Sequence, residues 1–325
     1  MARMGLRILE ATIGLRSADE RLLPRLPEPI AVPSLRTDFR VVEEIPFVPG
    51  LDAEIVLRPD AGRALTYSLT SRRVVFHGPL ARAERQASDV RFGLWGNQGF
   101  LYRFTLRLLE ECHGIFSLHA VGLYDESRHT LFVVAGGAGS GKTVYLLGGL
   151  ARGLALFSTE TVHFRRTRKG LTWFKGSLVD NIRLGTLVCD FPDFLPSGSA
   201  AGVVRDLWQK KIALDLSSRQ TPADVLDSPH VVLVFPHIEE GRPGFVRTPL
   251  SDPRIAAKAV FDNAAQKIAE TFVLWDRLPI AGLDSAGLAA ARWKAALELV
   301  RHASLIGISA VLSNPKECWG DLLDE

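Results

Sequence analysis

The chain has 325 residues, of which 47% are hydrophobic and 23% charged, so its composition is that of an ordinary globular protein. The formal net charge of +3 is too small to favour nucleic acid as the main partner. No apolar run approaches the length of about 18 residues that a membrane-spanning helix needs, so we expect no membrane association. The first residues lack a continuous apolar segment, so we expect no signal peptide.

The cysteines are few and far apart. Cys112, Cys189 and Cys318 form no C-x-x-C pair, which is typical of reduced thiols and predicts a cytoplasmic protein. The length predicts two domains, or one large domain with an appendage. We expect a small β-rich N-terminal region over residues 1–113 and an α/β domain over residues 114–325.

The N-terminal region contains short apolar runs separated by turn residues, as expected of strands. One strand is predicted over residues 6–13, and the prolines between residues 24 and 33 predict an extended connector. Further strands are predicted over residues 40–43, 53–57, 64–70 and 74–76, the last two as a hairpin. A helix over residues 97–113 is predicted to end at Gly114 and to bury the apolar stripe Phe100, Leu101, Phe104, Leu108 and Leu109.

The next part of the chain carries the most specific motif. Strands are predicted over residues 115–123 and 131–135, and the second stops at the segment Gly136–Thr143, which fits G-x-x-x-x-G-K-[ST]. A helix is predicted over residues 143–150, with Gly148 and Gly149 allowing close packing onto a sheet. This strand, loop and helix order is the context that a phosphate-binding loop needs.

The loop predicts binding of nucleotide phosphates, because glycine backbone lets N–H groups converge on phosphate oxygens at a helix N-terminus. In this motif the lysine, Lys142, reaches the β- and γ-phosphates and the hydroxyl of Thr143 contacts Mg²⁺. The alternative is a glycine-rich turn that binds nothing. The predicted cofactor-binding residues are Gly136, Gly137, Ala138, Gly139, Ser140, Gly141, Lys142 and Thr143.

A strand over residues 154–157 follows, and Glu160 comes just after it. We expect Glu160 at the carboxyl end of a neighbouring strand, where open α/β sheets place their ligands; a solvated surface glutamate is the alternative. The basic residues Arg165, Arg166, Arg168 and Lys169 predict a solvated turn, or otherwise a clamp for phosphate or acceptor. In the polar segment 175–183, the residues that could face the site are Lys175, Ser177, Asp180 and Asn181.

The rest of the chain continues the α/β pattern. Strands are predicted over residues 171–174, 211–216, 231–236 and 305–312. The sequence Ser251-Asp252-Pro253 predicts the start of a helix that runs to about residue 271, and a second helix is predicted over residues 286–303.

The order of these parts resembles the catalytic domain of HPr kinase/phosphorylase over residues 115–250. The resemblance is carried by Leu118-His119-Ala120-Val121, a hairpin, the loop 136–143, Arg152-Gly153 and an acidic residue on the next strand. It implies an α/β P-loop fold of the HPr kinase/phosphoenolpyruvate carboxykinase type, ATP or another NTP and Mg²⁺ as cofactors, and a possible homo-oligomer. It also implies that His119 lies near the transferred phosphate.

The sequence departs from the family where its Asp-Asp pair is expected. Thr159-Glu160 stands at that point, so a single carboxylate remains to accept a proton or hold Mg²⁺. The family's loop for binding the HPr protein is not visible, and HPr is therefore not the expected substrate.

The leading hypothesis is an ATP- and Mg²⁺-dependent phosphotransferase acting on a hydroxyl of a protein serine or of a small molecule. Its expected catalytic residues are Glu160, His119 and Lys142, and its expected metal ligands are Thr143 and Glu160. A second hypothesis is a nucleotide-binding switch or assembly factor with weak or no ATPase activity, which the single carboxylate favours. A third is a scaffold that binds phosphate without chemistry.

Overall fold

A computed structural model describes residues 1–24, 39–137, 139–196, 206–238, 244–311, 318–320 and 322. The chain is mixed α/β, with several mixed sheets and few helices. Its strands are β1 (Ala2–Ile8), β2 (Ala11–Ser17), β3 (Val42–Ile45), β4 (Ala53–Pro59), β5 (Thr66–Leu69), β6 (Arg73–Gly78), β7 (Ile115–Leu118), β8 (Ala120–Asp125), β9 (Thr130–Ala135), β10 (Ala155–Ser158), β11 (Val162–Thr167), β12 (Gly170–Phe174), β13 (Val179–Arg183), β14 (Lys211–Asp215), β15 (Val225–Asp227), β16 (His230–Ile238), β17 (Gly244–Pro249), β18 (Phe272–Leu274), β19 (Leu278–Ile280) and β20 (Ala303–Val311). Its α-helices are α1 (Leu80–Arg85), α2 (Phe100–His113), α3 (Lys142–Ala151), α4 (Pro253–Ala269) and α5 (Ala286–Arg301).

The described chain divides into two compact units. Unit 1 contains residues 1–116 and 264–292, and unit 2 contains residues 117–263 and 293–325. The sequence suggested one boundary between residues 113 and 114; the division differs because the segment 264–292 returns to unit 1. Trp275 of that segment is fully buried, contacts the ring of Phe76 at 5.9 Å between centroids, and donates its indole N–H to Glu84. An aromatic side chain buried in this way anchors the returning segment.

Unit 1 is β-rich, as predicted, and its sheet has the strand order β3-β1-β2-β4-β6-β5. The predicted single strand over residues 6–13 is wrong, because the chain reverses at Leu9 and forms the β1–β2 hairpin, in which Leu6 pairs with Ile13. Leu9 adopts φ 52°, a left-handed conformation that a leucine rarely takes and that the sequence pattern did not indicate. The predicted connector over residues 24–33 lies, except for Pro24, outside the described residues.

The other N-terminal predictions are confirmed. β3 and β4 are present, and β5 and β6 form the antiparallel hairpin. Helix α2 buries its predicted stripe completely, with Phe100, Leu101, Phe104, Leu108 and Leu109 all 0% exposed. Gly114 ends the helix with φ 61°, and its N–H bonds to the carbonyl oxygen of Leu109.

A buried ion pair lies in unit 1. Arg292 donates to the Glu110 carboxylate from Nε at 3.0 Å and from Nη2 at 2.8 Å. The side chains of Arg292 and Glu110 are 1% and 2% exposed. The same guanidinium bonds to Asp284 at 3.2 and 3.3 Å. Arg292 thus joins α2 to the segment before α5 through a planar, bidentate contact.

Unit 2 is built on a sheet with the strand order β10-β8-β9-β16-β20-β17. The central strands β9, β16 and β20 are parallel, whereas β8 and β17 run antiparallel to their neighbours and β10 runs antiparallel to β8. These strands confirm the sequence predictions over residues 131–135, 154–157 and 231–236 and, within the described residues, 305–311. The helices predicted from residues 253 and 286 are also found, as α4 and α5.

The predicted strand over residues 115–123 is wrong as a single element. It divides at His119 into β7, which belongs to the sheet of order β15-β12-β11-β7, and β8 of the central sheet. The physical reason is that both backbone groups of His119 bond to the side chain of Asn263, at 2.7 and 3.0 Å. The chain therefore leaves one sheet and enters the other at this residue.

Helix α3 packs on one face of the central sheet, where Tyr145, Leu146 and Leu147 are fully buried. Gly149 lies where a Cβ atom would come within 2.5 Å of Leu123 of β8 and 2.9 Å of the Trp319 ring. The indole N–H of Trp319 also donates to the carbonyl oxygen of Tyr145 at 2.8 Å. The predicted close approach at the glycine pair is therefore confirmed, with Trp319 as a second neighbour.

The antiparallel pair of β13 and β14, together with the residues that flank it, contributes to the same core through Leu178, Ile182, Leu214 and Leu216. The predicted strands over residues 171–174 and 211–216 are found as β12 and β14. In the described part of the chain, no helix is both long and apolar enough to cross a membrane.

Candidate functional site

The segment Gly136–Thr143, called the 136–143 loop below, follows β9 directly and leads into α3, which begins at Lys142. The expected order of strand, loop and helix is confirmed. Gly141 is the N-cap residue of α3 and has φ 101°, and an added Cβ would lie 2.4 Å from Ile238 at the end of β16. Only glycine fits this position. Ala138 lies outside the described residues.

Lys142 folds back over the loop. Its Nζ donates to the carbonyl oxygens of Gly136 at 2.8 Å and Gly137 at 3.1 Å. The ammonium group is therefore held directly above the turn that precedes α3, and the positive end of the helix dipole points to the same place. The hydroxyl oxygen of Ser140 is buried without a hydrogen-bond partner among the described residues.

The directions of three strands bring the loop, His119 and Glu160 to one edge of the central sheet. β8 is antiparallel to both β9 and β10, so the ends of β9 and β10 lie beside the start of β8. Nε2 of His119, just before β8, is 3.2 Å from Oε2 of Glu160, which follows β10. Glu160 is at the expected sheet edge, although β8 separates its strand from β9.

The position of His119 is fixed by hydrogen bonds to its backbone. Asn263 of α4 accepts a hydrogen bond from the His119 N–H at 2.7 Å and donates to its carbonyl oxygen at 3.0 Å. The imidazole is left to face Glu160 and is 22% exposed. Sequence reasoning missed Asn263, because nothing in the pattern of α4 distinguishes it from other polar helix residues.

Glu160 has a second partner, the Asp180 carboxyl of β13, with which it shares a hydrogen bond. Burial of the Glu160 carboxyl alone would raise its pKa. The hydrogen bond and charge of His119, the hydrogen bond from Asp180 and the charge of Lys142 together lower the pKa of Glu160 to about 2. The Glu160 side chain keeps 37% of its surface exposed, so it can reach a ligand.

Asp180 is shifted in the opposite direction. Burial, then the negative charge of Glu160 and the hydrogen bond to it, raise the pKa of Asp180 well above its usual range. The residue is only 5% exposed. Asp180 therefore holds the proton of the pair and Glu160 holds the negative charge, as expected for adjoining carboxyl groups in a partly dry site.

Thr159, which stands where the resembling family has a carboxylate, has a different role. It is 2% exposed, and its hydroxyl donates to the carbonyl oxygens of Val179 at 2.8 Å and Ser177 at 3.2 Å. Its N–H also donates to the Ser177 carbonyl oxygen, at 2.8 Å. These bonds attach the residues before Asp180 to the residue before Glu160, so Thr159 positions the carboxyl pair.

Four residues between 175 and 183 were candidates for the site. Of these, the structure places Asp180 beside Glu160. Lys175 is buried elsewhere, with Nζ bonded to the Thr221 carbonyl oxygen at 2.6 Å and paired with Asp224 at 3.0 Å. The Ser177 hydroxyl donates to Val179 within its own turn, at 2.8 Å. Asn181 lies on the face of β13 opposite to Asp180, because successive strand residues alternate.

Arg165 and Arg166 lie at the end of β11, Arg168 and Lys169 form the turn to β12, and Arg166, Arg168 and Lys169 are exposed. Arg166 pairs with Glu298 at 3.6 Å, and Arg165 lies over the ring of Phe174 at 5.1 Å. The first interpretation of this cluster, a solvated turn, is confirmed.

The described carboxyl groups near the loop do not by themselves form a metal-binding site. Among the described residues, no three His, Cys, Asp or Glu side chains are grouped so that they could hold an ion. Any cation at this edge would therefore need further oxygen ligands, such as those of a phosphate.

No protein-family model matches the sequence, and no curated protein matches it at a significant level.

Proposed function

We propose that the protein is an ATP- and Mg²⁺-dependent phosphotransferase acting on a hydroxyl, with a P-loop fold of the HPr kinase/phosphoenolpyruvate carboxykinase type. The observation that carries the proposal is the meeting of Lys142 and the Glu160–Asp180 pair at one sheet edge, which combines a phosphate-binding cation with a carboxyl pair. Phosphoryl transfer needs little more than positioning and charge stabilisation, and these groups supply both.

Nucleotide phosphates bind to the 136–143 loop in this proposal. Lys142 exchanges its bonds to the Gly136 and Gly137 carbonyl oxygens for bonds to phosphate oxygens, which form stronger, charge-assisted contacts. The loop amides and the N-terminus of α3 complete the cradle. Ala138 belongs to this predicted set by its place in the motif.

The donors at the sheet edge fit Mg²⁺, because Glu160 is ionised and partly exposed and Thr143 offers a hydroxyl in the first turn of α3. When bound, Mg²⁺ neutralises negative charge on the phosphates. Glu160 and Thr143 would hold the ion, whereas Asp180, being buried and neutral, supports Glu160.

The carboxyl pair orients the acceptor hydroxyl and takes its proton. In the transfer, the acceptor oxygen forms a bond to the γ-phosphorus while the bond from that phosphorus to the bridging oxygen of ADP breaks. The acceptor proton passes to the Glu160–Asp180 pair. The hydrogen bonds from His119 and Asp180 lower the pKa of Glu160 and make it a weak base, so the proton passes late, once the bond to phosphorus has made the acceptor oxygen acidic. His119 stabilises the negative charge of Glu160 from the other side.

The test is incubation of the full chain with γ-labelled ATP and cell extract, followed by detection of labelled products. We expect labelling by the wild type, loss of nucleotide binding in Lys142→Ala, and loss of labelling with retained nucleotide binding in Glu160→Gln. Glu126→Gln is the matched control, because Glu126 is exposed in the turn at the opposite edge of the same sheet. Absence of product together with ATP turnover that Glu160→Gln leaves unchanged would rule out the phosphotransferase.

A nucleotide-binding switch or assembly factor with weak or no ATPase activity is the second candidate. One observation favours it: Glu160 is the single ionised carboxylate of the pair and is already engaged by His119. It predicts ATP binding that depends on Lys142, without labelled product from any extract.

A further inference from the structure

We infer that unit 1 contains a second ligand site, separate from the 136–143 loop, which binds a small organic anion through Arg107. An open cleft with a volume of about 430 Å³ lies between the β5–β6 turn, helix α2 and the segment after β19. Its lining includes Tyr67, Leu69, Ser71, Arg107, Ala281 and Gly282. This volume is within the range of small-molecule sites.

Arg107 supplies the charge. Its side chain is only 10% exposed, its Nε donates to Glu111 at 3.1 Å, and its Nη1 donates to the Gly282 carbonyl oxygen at 3.4 Å. A guanidinium has five N–H donors, and Nη2 donates to no residue in the described part of the chain. A nearly buried guanidinium with donors remaining at a cavity wall matches the planar oxygens of a carboxylate or phosphate.

The opposite wall is fixed and partly apolar. The Tyr67 hydroxyl accepts from the Ala281 N–H at 3.0 Å and donates to the Ala281 carbonyl oxygen at 3.3 Å, so the segment after β19 is tied to β5. The Tyr67 ring and the Leu69 side chain offer surface for an apolar body, and the exposed Ser71 offers a hydroxyl. The site therefore suits a compact anion that carries a ring or branched chain.

The charges nearby favour an anion over a cation. Glu111 is bonded to Arg107, and Arg73 is paired with Glu54 at 3.2 Å. The exposed Arg72, next to Ser71 in the turn, is therefore a positive charge in addition to that of Arg107. A carboxylate and a phosphate ester share the oxyanion that this site recognises, and the experiment separates them.

Isothermal titration calorimetry of the full chain tests the inference with benzoate, phenyl phosphate, benzyl alcohol and inorganic phosphate. Probes at about 10 mM detect affinities in the millimolar range. We expect heat from benzoate or phenyl phosphate and none from benzyl alcohol. Arg107→Met should weaken binding roughly tenfold or more, because a charged hydrogen-bond donor is lost. Arg82→Met, an exposed arginine of α1, is the matched control and should bind like the wild type.

Leu69→Phe enlarges a side chain of the lining and keeps Arg107, so it tests the site even if Arg107→Met does not fold. It should weaken benzoate and phenyl phosphate alike. No binding of either charged probe to the wild type, or equal binding in the wild type and Leu69→Phe, would overturn the inference. Inorganic phosphate bound as tightly as phenyl phosphate would overturn its organic part. These readouts do not involve nucleotide, so they stand or fall independently of the proposed function.

Discussion

The Thr159 hydroxyl donates a hydrogen bond to the carbonyl oxygen of Val179, 2.8 Å away, and so ties the residue before Glu160 to the residue before Asp180. Through this contact the carboxyl pair at the sheet edge is assembled from two stretches of chain about 20 residues apart. Thr159 thus brings a second carboxyl group, that of Asp180 on β13, to Glu160.

Thr159→Val should destabilise the protein by about 1–3 kcal/mol, because it leaves buried carbonyl oxygens with one donor fewer. Thr159→Ser keeps the hydroxyl and should lose much less. Urea denaturation followed by circular dichroism measures both. A larger loss in Thr159→Ser than in Thr159→Val would show that the methyl group of Thr159, and not its hydroxyl, carries the contact.

Asp180→Asn should retain nucleotide affinity but lower phosphoryl transfer about 10²-fold or more, because asparagine can donate to Glu160 yet cannot exchange a proton. The measurement is the KM for ATP and the turnover number of the labelled reaction. Asp215→Asn serves as the control, because Asp215 is exposed on β14, the strand that pairs with β13. Full activity in Asp180→Asn would remove Asp180 from the proposed mechanism.

Glu110 should make the stability of the fold depend on pH. Burial raises the pKa of Glu110 to about 7, although the hydrogen bond and charge of Arg292 oppose this and Asp284 adds to it. The folded state therefore holds the proton over a range where the unfolded state, with a normal carboxyl, has lost it. The stability that Glu110 contributes is full below about pH 4.5 and falls as the pH rises to about 7.

Urea midpoints of the wild type and Glu110→Gln, measured between about pH 4.5 and pH 8, check this prediction. The wild type should lose stability relative to the variant as the pH rises through that window, and the difference should level off above it. A difference that is constant with pH would mean that Glu110 titrates normally in the folded state.

Arg292→Met should destabilise the protein by about 3–5 kcal/mol at neutral pH, because Glu110 and Asp284 lose their shared cation. The loss should be smaller at pH 5, where Glu110 can be neutral. Arg301→Met is the matched control on the same helix, since Arg301 is 66% exposed and pairs only at the surface with Glu298. Thermal and urea unfolding measure both variants; similar small losses would contradict a structural role for the buried pair.

Gly149→Ala should destabilise the fold by about 1–3 kcal/mol, despite the better helix propensity of alanine. The added methyl group would overlap Leu123 and Trp319. Gly287→Ala in α5 is the control, because a Cβ there meets nothing nearer than the Ser285 hydroxyl at 3.9 Å, and its stability should be unchanged or slightly raised. An increase in stability for Gly149→Ala would show that α3 shifts easily.

The elements that the sequence predicted well have signals that lie within the element. The apolar strand β9 ends at a glycine, α2 has its stripe and a left-handed glycine at its end, and α4 begins with Asp252 and Pro253. In each case local periodicity and capping chemistry determine the element's type and one of its ends. The loop, Lys142 and Glu160 were predicted from their order along the chain and His119 from the resemblance, and their functional roles stay predictions.

The features that the sequence did not predict are caused by residues elsewhere in the chain or by an unusual backbone conformation. The β1–β2 turn uses Leu9 in a left-handed conformation that no glycine or asparagine announces. The break at His119 is made by Asn263, 144 positions later. The pairing of Glu160 with Asp180 depends on the hydrogen bonds from Thr159 to Ser177 and Val179, which periodicity cannot indicate.

The interleaving of the two units also limits how the protein can be taken apart. β20, which pairs with β16 along the middle of the central sheet, and Trp319, which covers α3, come after the segment 264–292 of unit 1 in the chain. A fragment that ends at residue 263 would lack β20, so the sheet that carries the 136–143 loop would expose one side of the hydrophobic strand β16. During synthesis, the loop's surroundings are completed only after the chain has returned to unit 1 and left it again.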